Sequence, residues 1–259
     1  MRMDFPALSW TTQASDPART LLRVDLATPV DAHGAAAVID TVAGFCAVAG
    51  LGAFIDSAAA GPAVCRLLSA EPHPLSLRFE LDCNGLDLRS FQVLRNMMAK
   101  LREGHIDVQA ISVSGAQLRF PSDPDVPLID EDNEAGAYPQ VHGAVRMGRA
   151  DEDDDIFAGA RRCLLVLHAP VTQAHLDALQ SILRPWFMLL EAGGYALPLG
   201  WPWQLECMGD TAAQFDEKSI EINVLRFRAS EEAWSALANM VWVNARELGL
   251  PVSHIEIDF

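Results

Sequence analysis

The strictest alternation of apolar and polar side chains runs from Leu75 to Asp82. Leu75, Leu77, Phe79 and Leu81 fall on one side and Ser76, Arg78, Glu80 and Asp82 on the other, which predicts a strand with one buried face. Shorter apolar runs predict strands at Leu21–Leu26, Ala63–Leu68, Leu164–Leu167 and near Trp203–Cys207. Helical spacing covers about 32–50 and 173–192, clearest in Leu176, Leu179, Leu183, Trp186 and Leu190. Pro185 lies inside the second of these patterns and predicts a kink or a restart there. Two further helices are expected over Leu88–Glu103 and Glu231–Leu248, each followed by a strand, Val108–Val113 and Val252–Ile257.

These elements form two series that match along the chain. A shift of 141 residues places Pro29-Val30-Asp31 on Pro170-Val171-Thr172, Phe45 on Trp186, Gly52 on Gly193 and Phe54 on Tyr195. A shift of 143 places Leu77, Phe79 and Leu81 on Ile220, Ile222 and Val224, Phe91 on Trp234, and Asn96-Met97 on Asn239-Met240. The matched positions share physical tasks. Asp31 and Thr172 stand where a helix N-cap is required, as do Asp87 and Ser230, and Gly104 and Gly249 stand where the second helix of each series ends. Agreement of caps, strand phase and element order favours duplication over chance likeness of two α/β units. The expected fold is α+β: a tandem duplication of a ferredoxin-like βαββαβ unit, giving two antiparallel sheets, each with two helices on one face. The first repeat spans 17–116 and the second 161–259, joined by an acidic, proline-containing linker at 117–160 whose middle, Tyr138 to Met147, is less charged and free to lie against one domain.

Composition narrows the classes. Of 259 residues half are apolar, which excludes disorder of the whole chain, and 35 acidic against 19 basic side chains leave a formal charge of −16. With few basic residues and no basic cluster, nucleic acid and anionic membrane are not expected as partners. Five cysteines without a CxxC pair suggest neither a disulfide framework nor a zinc knuckle and fit a reducing compartment. The N-terminal residues lack the pattern of a signal peptide, and the apolar run Thr41 to Ile55 is broken by three glycines and is too short to span a bilayer, so a cytoplasmic location is expected.

Chemistry is weakly marked. No GxSxG elbow, HExxH pair, Walker loop or EF-hand spacing is present, and no catalytic residue, metal site or cofactor is assigned. His168 and His175 flank the start of a predicted helix, without a third ligand at motif spacing; a helix-start histidine beside an exposed one is the simpler reading. The run Asp151-Glu152-Asp153-Asp154-Asp155 reads as a solvated acidic loop rather than a cation site. The most unusual segment is Gly193 to Trp203, where hinge-like glycines and prolines accompany Tyr195, Trp201 and Trp203. Trp186 and Trp234 match phenylalanines of the first series and are expected in the core, whereas Trp201 and Trp203 match small residues and are candidates for either core or recognition.

The reading favoured from sequence is a non-catalytic binding protein of the immunity or antitoxin kind. Its acidic surface, including Asp151, Asp153 and Asp154, steers a basic partner protein, and Tyr195, Trp201 and Trp203 anchor it. The alternative is a small-molecule binder or sensor with a pocket near the tryptophan-rich loop. A cofactor-independent enzyme using Glu206, His168 or Glu191 ranks last, because nothing in the sequence sets their geometry.

Overall fold

The computed structural model describes residues 5–11, 19–54, 64–84, 86, 88–114, 145–148, 161–195, 208–225 and 232–258. In these residues helices and strands alternate in an α+β arrangement. The order is β1 (Ala7–Thr11), β2 (Arg19–Leu26), α1 (Ala32–Gly50), β3 (Val64–His73), β4 (Ser76–Asn84), α2 (Leu88–Lys100) and β5 (Val108–Ser114), then β6 (Val145–Gly148), β7 (Arg161–Leu167), α3 (Gln173–Glu191), β8 (Met208–Gln214), β9 (Ser219–Leu225), α4 (Glu232–Asn244) and β10 (Val252–Asp258).

Local chemistry starts the helices where the sequence says they should start. The Asp31 carboxylate accepts the Gly34 N–H at 2.8 Å, and Thr172 accepts the His175 N–H at 3.4 Å while the Thr172 N–H donates to His175 Nδ1 at 3.2 Å, a reciprocal capping box. Asp87 and Ser230 lie outside the described residues. Pro185 does not restart α3, which runs as one helix from Gln173 to Glu191. At the end of the 3-10 turn Leu101–Gly104 the left-handed residue is His105, at φ 62°, and not Gly104, whereas Gly249 does take a positive φ, 66°. His105→Gly is therefore expected to stabilise the fold by about 0.5–1 kcal/mol and Gly249→Ala to destabilise it by about 1 kcal/mol, read from urea unfolding midpoints.

The strands form two five-stranded sheets, β1-β5-β2-β4-β3 and β6-β10-β7-β9-β8, so each position in the first sheet has a counterpart in the second. The expectation of purely antiparallel sheets needs correction. β1 runs parallel to β5 and β6 parallel to β10, each covering an edge that would otherwise expose unpaired backbone groups. Neither addition was legible: β1 is five residues long and precedes the stretch read as the first repeat, and β6 is four residues long, inside the stretch read as a linker.

One face of each sheet is buried. Leu22, Val24 and Leu26 of β2 alternate with exposed Arg19, Leu21 and Arg23, and the buried set continues through Leu77, Phe79, Leu81, Ile111 and Val113. In the second sheet Cys163, Leu165, Leu167, Ile220, Ile222, Ile255 and Ile257 do the same. Leu75 departs from the expected alternation. It precedes β4 in the turn, 51% exposed, with its carbonyl accepting the Leu26 N–H at 2.9 Å. Leu68, 49% exposed, is the extra residue of a bulge between Leu67 and Ser69.

The four helices lie on the buried faces, α1 over β3, α2 over β5, α3 over β8 and α4 over β10. α1 also packs against α3, so the helices of the two sheets meet and the buried side chains form one continuous core. Among the described residues α1 is the one helix long and apolar enough to cross a membrane by length and composition, and here Val38, Val42, Phe45, Cys46 and Val48 along it are buried in that core.

Candidate functional site

Helices α2 and α4 differ from the usual amphipathic pattern because they are buried nearly all round. From Ser90 to Ala99 only Arg95 is not fully buried, and from Glu232 to Val241 every residue is. Yet each carries buried polar side chains: Gln92 and Asn96 one turn apart on α2, with Ser90 on another side of it, and Glu232, Ser235 and Asn239 at helical spacing on α4, none more than 4% exposed. Gln92 and Asn96 correspond to Ser235 and Asn239 under the 143-residue shift, so two matching polar stripes are enclosed by apolar core.

Two side-chain hydrogen bonds from these helices join the halves. Asn96 Nδ2 donates to the Gly194 carbonyl in the turn after α3 at 3.0 Å, and Asn244 Nδ2, from the end of α4, donates to the Leu51 carbonyl in the turn after α1 at 2.9 Å. Each half thus reaches from its second helix to the turn after the other half's first helix, through positions that do not correspond, since the 143-residue shift pairs Asn96 with Asn239. Gly194 is required for the close approach, since a Cβ there would stand 2.9 Å from Val93 Cγ1 of the first half and 2.9 Å from Leu189 Cδ1.

Asn96 Oδ1 and Ser235 Oγ are buried without a hydrogen-bond partner among the described residues. Arg95 is the partly exposed residue of α2 between Ser90 and Ala99, its guanidinium 5.1 Å from the centre of the Phe5 ring, and burial pushes its pKa below the ordinary arginine value. The arrangement supplies donors and acceptors in an apolar enclosure, the chemistry of a register-fixing interface or of a small polar ligand site, and among the described residues no cluster of metal-ligating side chains.

Of the binding residues expected from sequence, Tyr195 lies next to Gly194, 3% exposed. Trp201, Trp203, Asp151, Asp153 and Asp154 lie outside the described residues, as does Glu206. Trp186 and Trp234 are fully buried, as expected, with rings 5.1 Å apart. His175 serves in the capping box described above, while His168 is exposed and its backbone N–H donates to the Pro251 carbonyl at 2.7 Å; Glu191 is exposed at the end of α3. The strand that pairs with β9 is Met208–Gln214, further along than the segment Trp203–Cys207, which is not among the described residues. Sequence reasoning missed the polar stripes. Their signal was the pair Asn96 and Asn239 in otherwise apolar helices, with Gln92 and Ser235 one turn earlier.

No protein-family profile and no curated protein matches the chain. Among solved structures it is similar at 10% identity to a mutant of the ferredoxin protease FusC in complex with Arabidopsis ferredoxin, over 92% of this chain and 34% of that one, with a TM-score of 0.23. The chain therefore spans about a third of that protease's length. A conserved protein from Enterococcus faecalis aligns at 10% identity over 93% of this chain and 77% of its own, TM-score 0.20. Complex III2 from Candida albicans with Inz-5 bound aligns at 8% identity over 96% and 83%, TM-score 0.21. Likenesses this slight carry no argument.

Proposed function

We propose that this chain is a tandem duplication of a ferredoxin-like unit acting as a non-catalytic, acidic binding protein of the immunity or antitoxin kind, with a basic protein as its partner. The duplication is supported by the common strand order of the two sheets and by the matching buried pairs Gln92 with Asn96 and Ser235 with Asn239. Without β1 and β6 each sheet has the order of a split βαβ unit, β5-β2-β4-β3 and β10-β7-β9-β8.

The observation that carries the functional reading is the distribution of charge. Residues 117–160 hold eleven acidic and three basic side chains, half of the chain's formal charge of −16. On the outer faces of the sheets three arginines are matched with carboxylates, Arg19 with Glu80, Arg23 with Asp25 and Arg162 with Glu221. The densest net negative charge along the chain therefore falls in one segment, which suits electrostatic capture of a basic surface.

Replacing Asp151, Asp153 and Asp154 together with Asn is expected to slow association with the partner about tenfold at low salt, measured by surface plasmon resonance. Trp201→Ala with Trp203→Ala is expected to speed dissociation about thirtyfold with the association rate nearly unchanged. Unaltered kinetics in both variants would remove this segment and this loop from the interface.

A second reading, a small-molecule binder, is favoured by one observation: buried Asn96 Oδ1 and Ser235 Oγ lack partners among the described residues. Asn96→Leu would then abolish a ligand-induced rise in melting temperature while leaving capture of the basic protein intact.

A further inference from the structure

Three of the cysteines that the sequence scatters over 38 residues converge in the first half. Cys46 sits on α1, Cys65 on β3 and Cys83 on β4, each a free thiol 4% exposed. Cys65 and Cys83 are directly opposed in the antiparallel pairing of β3 with β4, with Sγ atoms 3.1 Å apart, and the Cys46 Sγ lies 3.5 Å from the Cys65 Sγ. Cys65 is thus the shared member of two thiol contacts. Packing of free cysteines as small apolar groups needs no such convergence.

We infer that Cys65 and Cys83 form an oxidation site, closing a reversible cross-strand disulfide under peroxide, with Cys46 the alternative partner of Cys65. Directly opposed strand residues have Cα separations inside the range a disulfide accepts, so closure needs a shift of the sulfurs rather than of the strands. In the first step one thiol takes an oxygen from hydrogen peroxide, becoming a sulfenic acid and releasing water. In the second the other sulfur bonds to it and expels that oxygen as a second water, so two thiols lose two protons and two electrons to one peroxide. The contacts with Cys46 and Cys83, and then burial, push the Cys65 thiol far above its ordinary pKa. Once formed, the bond faces the Cys46 sulfur, which can exchange into it.

The test treats the full-length folded protein with hydrogen peroxide, then denatures, alkylates and maps the peptides by mass spectrometry. The expected product has two thiols fewer, joins the Cys65 and Cys83 peptides, reverts with dithiothreitol, and melts about 5 °C higher than the reduced form. Cys65→Ser should form no link among the remaining thiols under the same treatment, and Cys83→Ser should move the link to Cys46 and Cys65. Where Cys65→Ser does not fold, the relocated link in Cys83→Ser decides. Full alkylation of Cys65 after oxidation, over-oxidation without a link, or a link from Cys65 to Cys163, to Cys207 or to a second chain would overturn the assignment.

Discussion

Trp186→Ala is expected to lower the free energy of unfolding by about 3–5 kcal/mol, enough to leave a marginal protein partly unfolded at room temperature. The indole is fully buried in α3, 5.1 Å from the Trp234 ring and 5.0 Å from that of Phe187, and its Nε1 donates to the Ala233 carbonyl at 2.7 Å. Truncation opens a cavity in the core and removes the indole hydrogen bond that ties α3 to the start of α4. Trp186→Phe, which keeps most of the volume, should cost about 1–2 kcal/mol. Urea unfolding followed by far-UV circular dichroism measures both, and a loss below about 1 kcal/mol for the alanine variant would contradict the packing described.

Gly194→Val should destabilise by about 3 kcal/mol, and through contacts between the halves rather than within one of them. The added Cβ meets Leu189 and, across the seam, Val93, both at 2.9 Å, and the backbone cannot retreat without stretching the Asn96 bond to the Gly194 carbonyl. Val93 is itself 1% exposed and has little room to yield. Gly44→Ala is the control. It lies in the interior of α1 with nothing within 4 Å of the added carbon, so it should stabilise by about 0.5–1 kcal/mol. Because the core is continuous, wild-type unfolding should be a single transition by both tryptophan fluorescence and circular dichroism. Two separated transitions would show that the halves fold independently and that the seam contributes little.

The elements legible in the sequence were those whose local signals agreed with their packing. Asp31 and Thr172 announced their helices because a cap works through its own first turn, and Leu77, Phe79 and Leu81 announced β4 because one face is core and the other solvent. Leu75 shows the limit of that reading, since periodicity cannot say where a strand yields to a turn. β1 and β6 were hidden because their pairing partners, β5 and β10, lie far along the chain and parallel edge strands leave no short-range signature. The convergence of Cys46, Cys65 and Cys83 depends on the register of β3 with β4, which the sequence does not specify across a bulge. The polar stripes of α2 and α4 were obscured for a different reason. An asparagine in a helix is ordinarily read as solvent-facing, and here α2 and α4 are buried nearly all round, which makes Asn96 and Asn239 interior.

The central claim is that the acidic surface captures a basic protein, and the most direct measurement is retention of partners by the tagged full-length chain from a lysate of its own organism, at about 50 mM and about 500 mM salt. The account predicts one basic protein retained in stoichiometric amount at the lower salt and released, or held far more weakly, at the higher. Retention of nothing at either salt, or of an acidic protein indifferent to salt, would contradict it.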